Sequence, residues 1–190
     1  MGIRKMIKFT LAFILLASCS TVKKVPVVEV SENPAPATTA NPAPVGSYSA
    51  TSTLPWVIDL VRVANCVKQK QSFYDEISST EFTSTNGKTS KQIADEIRTA
   101  SVKIETLTYW NPASKMIAEN AQPDRVRLNS RKHPRVMEDM IETAFHEPTH
   151  NLGYFHNGNY NTEENRKTVP YLVGAIARKH IGDCEKKKKN

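Results

Sequence analysis

Three of the five histidines in this 190-residue chain lie within the segment HEPTHNLGYFH, at positions 146, 150 and 156. His146 and His150 are four residues apart, so on a helix their imidazoles lie one above the other and can face the same ion. Gly153 can adopt the left-handed backbone conformation that ends a helix and turns the chain back. His156, three residues after this glycine, can then supply the third imidazole. Three imidazoles leave one coordination position open, as in a catalytic zinc site.

Glu147 and Pro148 lie between the first two histidines. Glu147 is close enough to a metal at His146 to act as a general base on water without being a ligand. Pro148 has no N–H, and its ring clashes with the carbonyl of Ala144, at a cost of about 3 kcal/mol in a regular helix interior. The sequence therefore predicts a bend between Ala144 and Pro148, which is tolerated because Gly153 ends the helix soon afterwards.

These residues fit the pattern H-E-x-x-H-x-x-G-x-x-H and resemble the active-site helix and turn of the metzincin zinc endopeptidases. All five defining positions match. The resemblance implies that His146, His150 and His156 bind one Zn²⁺ per chain and that Glu147 activates the attacking water. Histidines on an ordinary helix surface are the alternative interpretation of the same residues.

The resemblance also concerns the strand before the helix, at residues 125–129. By order along the chain, this strand is expected to lie at the edge of the cleft and to pair with an extended substrate backbone. Its candidate residues are Val126, Leu128 and Asn129.

One departure from the family concerns the methionine turn that metzincins carry after the third histidine. All five methionines of this chain precede the motif. Residues 167–171 are the best candidate for the floor of the site, because they form a proline-marked turn ahead of a helical stretch. Tyr171 could reach the metal or the oxyanion, as a tyrosine does in some metzincins, with Tyr160 as its rival. That Tyr171 is an ordinary core or surface aromatic is the alternative.

The N-terminus has the features of a secretory signal at residues 1–18, with three positive charges followed by a short apolar run. The run ends in Leu-Ala-Ser-Cys, which resembles the lipobox of bacterial lipoproteins. This resemblance implies that Cys19 becomes the lipidated first residue, and Ser20 behind it favours the outer membrane. A plain secretory signal with a coincidental cysteine is the alternative.

The formal charge of +7 is located at the two ends of the chain. The signal contributes three cations, and the four lysines at 186–189 account for the remaining excess. We expect the basic tail at 185–190 to be solvated or to contact an anionic surface. No aromatic residues are interleaved with basic ones as on a nucleic-acid-binding face, so we expect no nucleic-acid partner.

The intervening chain divides into a linker and one domain. Residues 19–54 are rich in Pro, Ser, Thr and Ala, which predicts a disordered tether. The folded domain is predicted at 55–184. Cys66 and Cys184 form an even pair in an oxidising compartment, which favours a disulfide between the first and last helices over two buried thiols.

Hydrophobic periodicity predicts a small, helix-rich α+β domain with a short sheet, and the metzincin resemblance implies that this domain is zincin-like. Helices are predicted near 55–70 and 91–100, with strands at 102–110 and 125–129. A short helix is allowed at 112–123. The long active-site helix is expected to begin at Pro134, and His133 and His180 are expected to be solvated.

Together these features predict a lipid-anchored, zinc-dependent metalloendopeptidase of the bacterial cell envelope, with a peptide or protein substrate. The alternative is a non-catalytic envelope-binding or structural lipoprotein in which zinc serves only for folding.

Overall fold

A computed structural model describes residues 44–108, 113–158 and 161–186. The signal at 1–18, Cys19, most of the linker, Tyr160 and the lysines at 187–189 lie outside these residues. Among the residues described, no helix is long and apolar enough to cross a membrane.

The protein combines six α-helices and one short 3₁₀-helix (Asn165–Lys167) with one four-stranded sheet in the described part of the chain. The helices are α1 (Pro55–Lys68), α2 (Gln71–Ser79), α3 (Ser90–Thr99), α4 (Met137–Asn151), α5 (Val169–Lys179) and α6 (Gly182–Lys186). The strands are β1 (Tyr48–Ala50), β2 (Val102–Leu107), β3 (Ala118–Gln122) and β4 (Arg125–Asn129). This mixture confirms the combination of helices with a short sheet that the sequence predicts.

The strand order in the sheet is β1-β2-β4-β3. The first three of these strands are mutually parallel, whereas β3 runs antiparallel to β4 at one edge. Alternate residues of β2 and β4 point into the core, where Ile104 and Val126 are paired and fully buried. This alternation is the period of two that the sequence shows in both strands.

Helix α4 buries one face built from Met140, Ile141, Ala144 and Phe145, and it packs most extensively against α5. The two helices approach closely at Gly174, where an added Cβ would lie 2.7 Å from the carbonyl oxygen of Glu142. A glycine at this position therefore lets α5, and Tyr171 with it, lie against the histidine-bearing helix.

Several sequence predictions of local structure are wrong. The predicted linker extended to Leu54, but Tyr48–Ala50 forms β1 and belongs to the folded unit. Residues 113–123 of the short helix allowed at 112–123 are not helical, and Ala118–Gln122 among them form β3. In both places pairing with a neighbouring strand decides the conformation, and three to five residues carry too little periodicity to predict it.

Further differences concern helices and histidines. Helix α2 was not predicted. Helix α4 begins at Met137 and not at Pro134, because Val136 has an extended backbone conformation. His133 is not solvated, since it is buried and stacks on Trp56 at 5.2 Å between ring centroids. His180 is also mostly covered, and its Nε2 lies 2.9 Å from Glu76.

The predicted disulfide is present between α1 and α6, where Cys66 and Cys184 have Cα atoms 5.7 Å apart. It joins positions separated by 118 residues. A crosslink over such a long loop restricts the unfolded chain strongly, so it stabilises the fold chiefly through the loss of unfolded-state entropy in the chain-entropy model.

We expect the double variant Cys66→Ala/Cys184→Ala to lose up to about 4 to 5 kcal/mol of unfolding free energy. Urea unfolding of the oxidised chain and of the variant measures this difference. The unmodified chain under reductant is the control and should unfold with the variant. A difference below about 1 kcal/mol would contradict a stabilising role for the long crosslink.

Candidate metal centre

The three histidines of the motif converge. His146 and His150 lie on α4, and His156 follows the turn after it. The Nε2 atom of His146 is 3.1 Å from that of His156 and 3.3 Å from that of His150. A tetrahedral zinc with bonds of 2.0 to 2.1 Å requires about 3.3 Å between ligand nitrogens. This group could therefore hold a metal ion with little movement of its side chains.

The turn that returns His156 to the helix depends on Gly153, as predicted. Gly153 has a φ of +89°, in the left-handed region that favours glycine. Its N–H donates to the carbonyl of His150 at 3.0 Å, and Tyr154 N–H donates to Thr149 at 3.0 Å. The side-chain amide of Asn86 donates to the Gly153 carbonyl at 2.7 Å and holds the turn from outside.

Backbone carbonyls orient two of the imidazoles. His150 Nδ1 lies 2.7 Å from the carbonyl oxygen of Tyr154, and His156 Nδ1 lies 2.6 Å from that of Gly158. Because a carbonyl only accepts, each Nδ1 carries the proton and each Nε2 presents a lone pair. This is the arrangement that a metal-binding histidine needs.

Burial favours the neutral form of the two histidines on α4. Burial, together with the neighbouring imidazoles of His150 and His156, lowers the pKa of His146 to about 3. Burial also lowers the pKa of His150. A neutral imidazole is the form that binds metals, so protons compete weakly for these nitrogens near neutral pH.

Glu147 and all three histidines line one open cavity of about 390 Å³. Burial, and then the carboxylate of Glu119, raises the pKa of Glu147 to about 7. A carboxyl group with such a pKa can both accept and release a proton at neutral pH. Glu147 is thus placed where the sequence predicts a general base.

Tyr171 lines the same cavity, near the N-terminus of α5. Its ring centroid is 4.8 Å from that of His146 and 4.9 Å from that of His156. The structure therefore brings Tyr171 to the histidines. The rival Tyr160 lies outside the described residues. Elsewhere in the predicted floor segment, Thr168 and Val169 are buried.

An adjoining cavity of about 360 Å³ shares His146, Glu147 and Tyr171 with the first. Its far wall is charged, and Arg178 pairs there with Asp139 at 2.9 Å and Glu142 at 3.0 Å. The space beside the histidines can therefore accept polar or charged groups.

The edge-strand prediction is wrong about which strand is exposed. β4 pairs with β2 on one side and β3 on the other, so it has no free edge. Val126 and Leu128 are fully buried, and Asn129 is 1% exposed. The edge belongs to β3, whose residues Ala118 to Asn120 line the histidine cavity. The sequence does not show this, because residues 112–123 allow a short helix by their composition.

Sequence reasoning missed two residues that support the third histidine. The buried side chain of Asn165 accepts from Asn157 N–H at 3.1 Å and donates to the Asn157 carbonyl at 2.9 Å. It thereby fixes the residue after His156. Glu96 on α3 accepts from the hydroxyl of buried Tyr154 at 2.6 Å. Neither has a local sequence signal, because each acts across the fold.

Searches against protein-family models, curated proteins and solved structures found no match to this chain.

We expect His156→Ala to weaken zinc binding at least roughly 100-fold, because the variant keeps only two of the three imidazole ligands. Competition with a chromophoric chelator measures the affinity. The matched control is His180→Gln, which alters a histidine outside the cavity and should bind zinc as the unmodified chain does. Equal affinities for the two variants would contradict this metal centre.

Proposed function

We propose that this protein is a zinc-dependent metalloendopeptidase of metzincin-like type, which hydrolyses peptide bonds by attack of water. The observation that carries the proposal is the convergence of three Nε2 atoms in an open cavity that Glu147 also lines. Three protein ligands with open space beside them are typical of catalytic zinc sites, whereas structural sites are usually closed by four.

Zinc is the metal that the donor set favours. Three neutral imidazoles suit a borderline-soft divalent ion, and zinc accepts a tetrahedral site without redox chemistry. His146, His150 and His156 would hold it. When bound, zinc supplies Lewis acidity toward a carbonyl oxygen and makes water more acidic.

The residues of the chain supply the remaining functions. Glu147 takes the proton of the attacking water and delivers it to the leaving amine, so the same carboxyl group acts first as base and then as acid. We propose that Tyr171 donates a hydrogen bond to the oxyanion that develops on the scissile carbonyl. The support is that its ring lies against His146 and His156.

We expect Glu147→Gln to lower the rate of peptide cleavage by 10²- to 10⁴-fold, the usual contribution of a general base. Zinc content should stay at that of the unmodified chain, because Glu147 is not a ligand. A fluorogenic peptide library measures cleavage, and Glu138→Gln on the same helix is the control. Undiminished cleavage by Glu147→Gln would contradict the role of Glu147 as the general base.

The same measurement separates the peptidase from the alternative, an envelope lipoprotein in which the metal serves only for folding. Zinc bound at one per chain without cleavage of any peptide, protein or cross-linked wall peptide would favour that alternative.

Strand β3 is the proposed docking edge for an extended substrate. The N–H of Asn129 on β4 donates to the carbonyl of Ile117 at 2.9 Å. Bonded and non-bonded positions alternate in an antiparallel pair, so Ala118 and Asn120 direct their N–H and carbonyl groups away from β4. Both residues line the histidine cavity. A substrate backbone can therefore extend the sheet beside Glu147.

We expect Ala118→Pro to lower kcat/KM for peptides about 5- to 10-fold, because it removes one outward N–H worth about 1 kcal/mol. A proline is tolerated at an edge where the N–H faces outward. The control Ala118→Val keeps the N–H and should behave as the unmodified chain. Equal kcat/KM for the two variants would exclude substrate pairing at this position.

We also propose that a lipid on Cys19 anchors the protein to the outer membrane, with residues after Cys19 as the tether. The support is the lipobox-like sequence alone. Cys19→Ala should move the protein from the membrane to the soluble fraction, as followed by fractionation and palmitate labelling. An unchanged distribution would indicate a plain secretory signal instead.

A further inference from the structure

Pro148 removes a hydrogen-bond donor from the helix that carries two of the histidines. In an α-helix each N–H donates to the carbonyl four residues earlier, and Pro148 has no N–H. The carbonyl of Ala144 thus lacks its usual helical partner. The hydroxyl of Tyr48 donates to this carbonyl at 2.9 Å, in a buried position. Tyr48 comes from β1, 96 positions away along the chain.

Tyr48 is itself held firmly. Its N–H donates to the side-chain oxygen of Asn65 at 2.7 Å, and its carbonyl accepts from the Asn65 amide at 2.9 Å. The strand also pairs with β2, with Tyr48 opposite Val102. The ring packs against Phe145 with centroids 5.1 Å apart. The backbone of Tyr48 is therefore fixed by α1 and the sheet, and this holds the hydroxyl in position to donate to α4.

The location of this bond connects it to the metal centre. Ala144 lies two residues before His146, and Pro148 lies two residues before His150. The missing helical bond would have joined the turn that carries one histidine to the turn that carries the other. Without a replacement, the two imidazoles could change their relative direction, and a metal site is sensitive to such changes.

We propose that Tyr48 is a positioning residue for the metal centre, whose hydroxyl replaces the N–H that Pro148 lacks and fixes His146 relative to His150. The inference rests on the proposed zinc site. It also explains how the helix accommodates Pro148, because the Tyr48 hydroxyl bonds the carbonyl that the proline leaves without its helical partner.

The test is a double-variant cycle in the full chain, with Zn²⁺ affinity measured by chelator competition and site geometry by the visible absorption of bound Co²⁺. We expect Tyr48→Phe to weaken Zn²⁺ binding about 10-fold and to alter the Co²⁺ spectrum. In the Pro148→Ala background the helix regains its own N–H. There, Tyr48→Phe should change the affinity by less than about threefold.

Tyr74→Phe is the matched control. The hydroxyl of Tyr74 is also buried and donates to a backbone carbonyl, that of Lys68, at 2.9 Å. Its loss should destabilise the fold while Zn²⁺ affinity and the Co²⁺ spectrum stay unchanged. A purely structural role for Tyr48 would make the two variants behave alike.

Two results would overturn the inference. One is the same Zn²⁺ affinity for Tyr48→Phe and Tyr74→Phe, and the other is an equal loss with and without Pro148. If Tyr48→Phe alone fails to fold, the comparison of Pro148→Ala with Tyr48→Phe/Pro148→Ala decides. Absence of peptide cleavage in all variants would count against the proposed function alone, because Zn²⁺ affinity is measured without substrate.

Discussion

Two backbone carbonyls determine the character of the three-histidine group, because they accept hydrogen bonds from the Nδ1–H groups of His150 and His156. The opposite nitrogens of both rings then present lone pairs toward Nε2 of His146, at 3.3 and 3.1 Å. Lone pairs at such distances repel one another unless a proton or a metal ion lies between them. Burial disfavours a second proton on His146, and an Nε2–H of the neutral ring can be donated to only one of the two neighbouring nitrogens. A cation between the three nitrogens satisfies all of them, so it is the partner that this arrangement suits.

Most of the fold holds these carbonyls and rings in place. Asn86 donates a hydrogen bond to the carbonyl of Gly153 in the turn, and Glu96 on α3 accepts one from the hydroxyl of Tyr154. Asn165 fixes the chain directly after His156. Each contact comes from a different part of the sequence. The geometry of the three-histidine group therefore depends on the whole domain, although the histidines occupy one short segment.

The sequence predicted what local spacing determines. The histidine spacing, the role of Gly153, the bounds of β4 and the pairing of Cys66 with Cys184 agree with the structure. The sequence did not predict features that depend on a contact with a residue far away along the chain. Strand β3 has the composition of a helix, and β1 is too short to show a period. The Asn165 and Tyr48 contacts are invisible for the same reason, since nothing near either residue indicates its partner.

The account depends most directly on the identity of the atoms around a bound zinc ion. X-ray absorption at the zinc edge, on the full chain loaded with one equivalent of Zn²⁺, measures these atoms. We expect three imidazole nitrogens at about 2.0 to 2.1 Å, with one oxygen ligand and no sulfur. A zinc ion surrounded by oxygen alone, or a chain that retains no zinc, would contradict the metal centre and the function proposed from it.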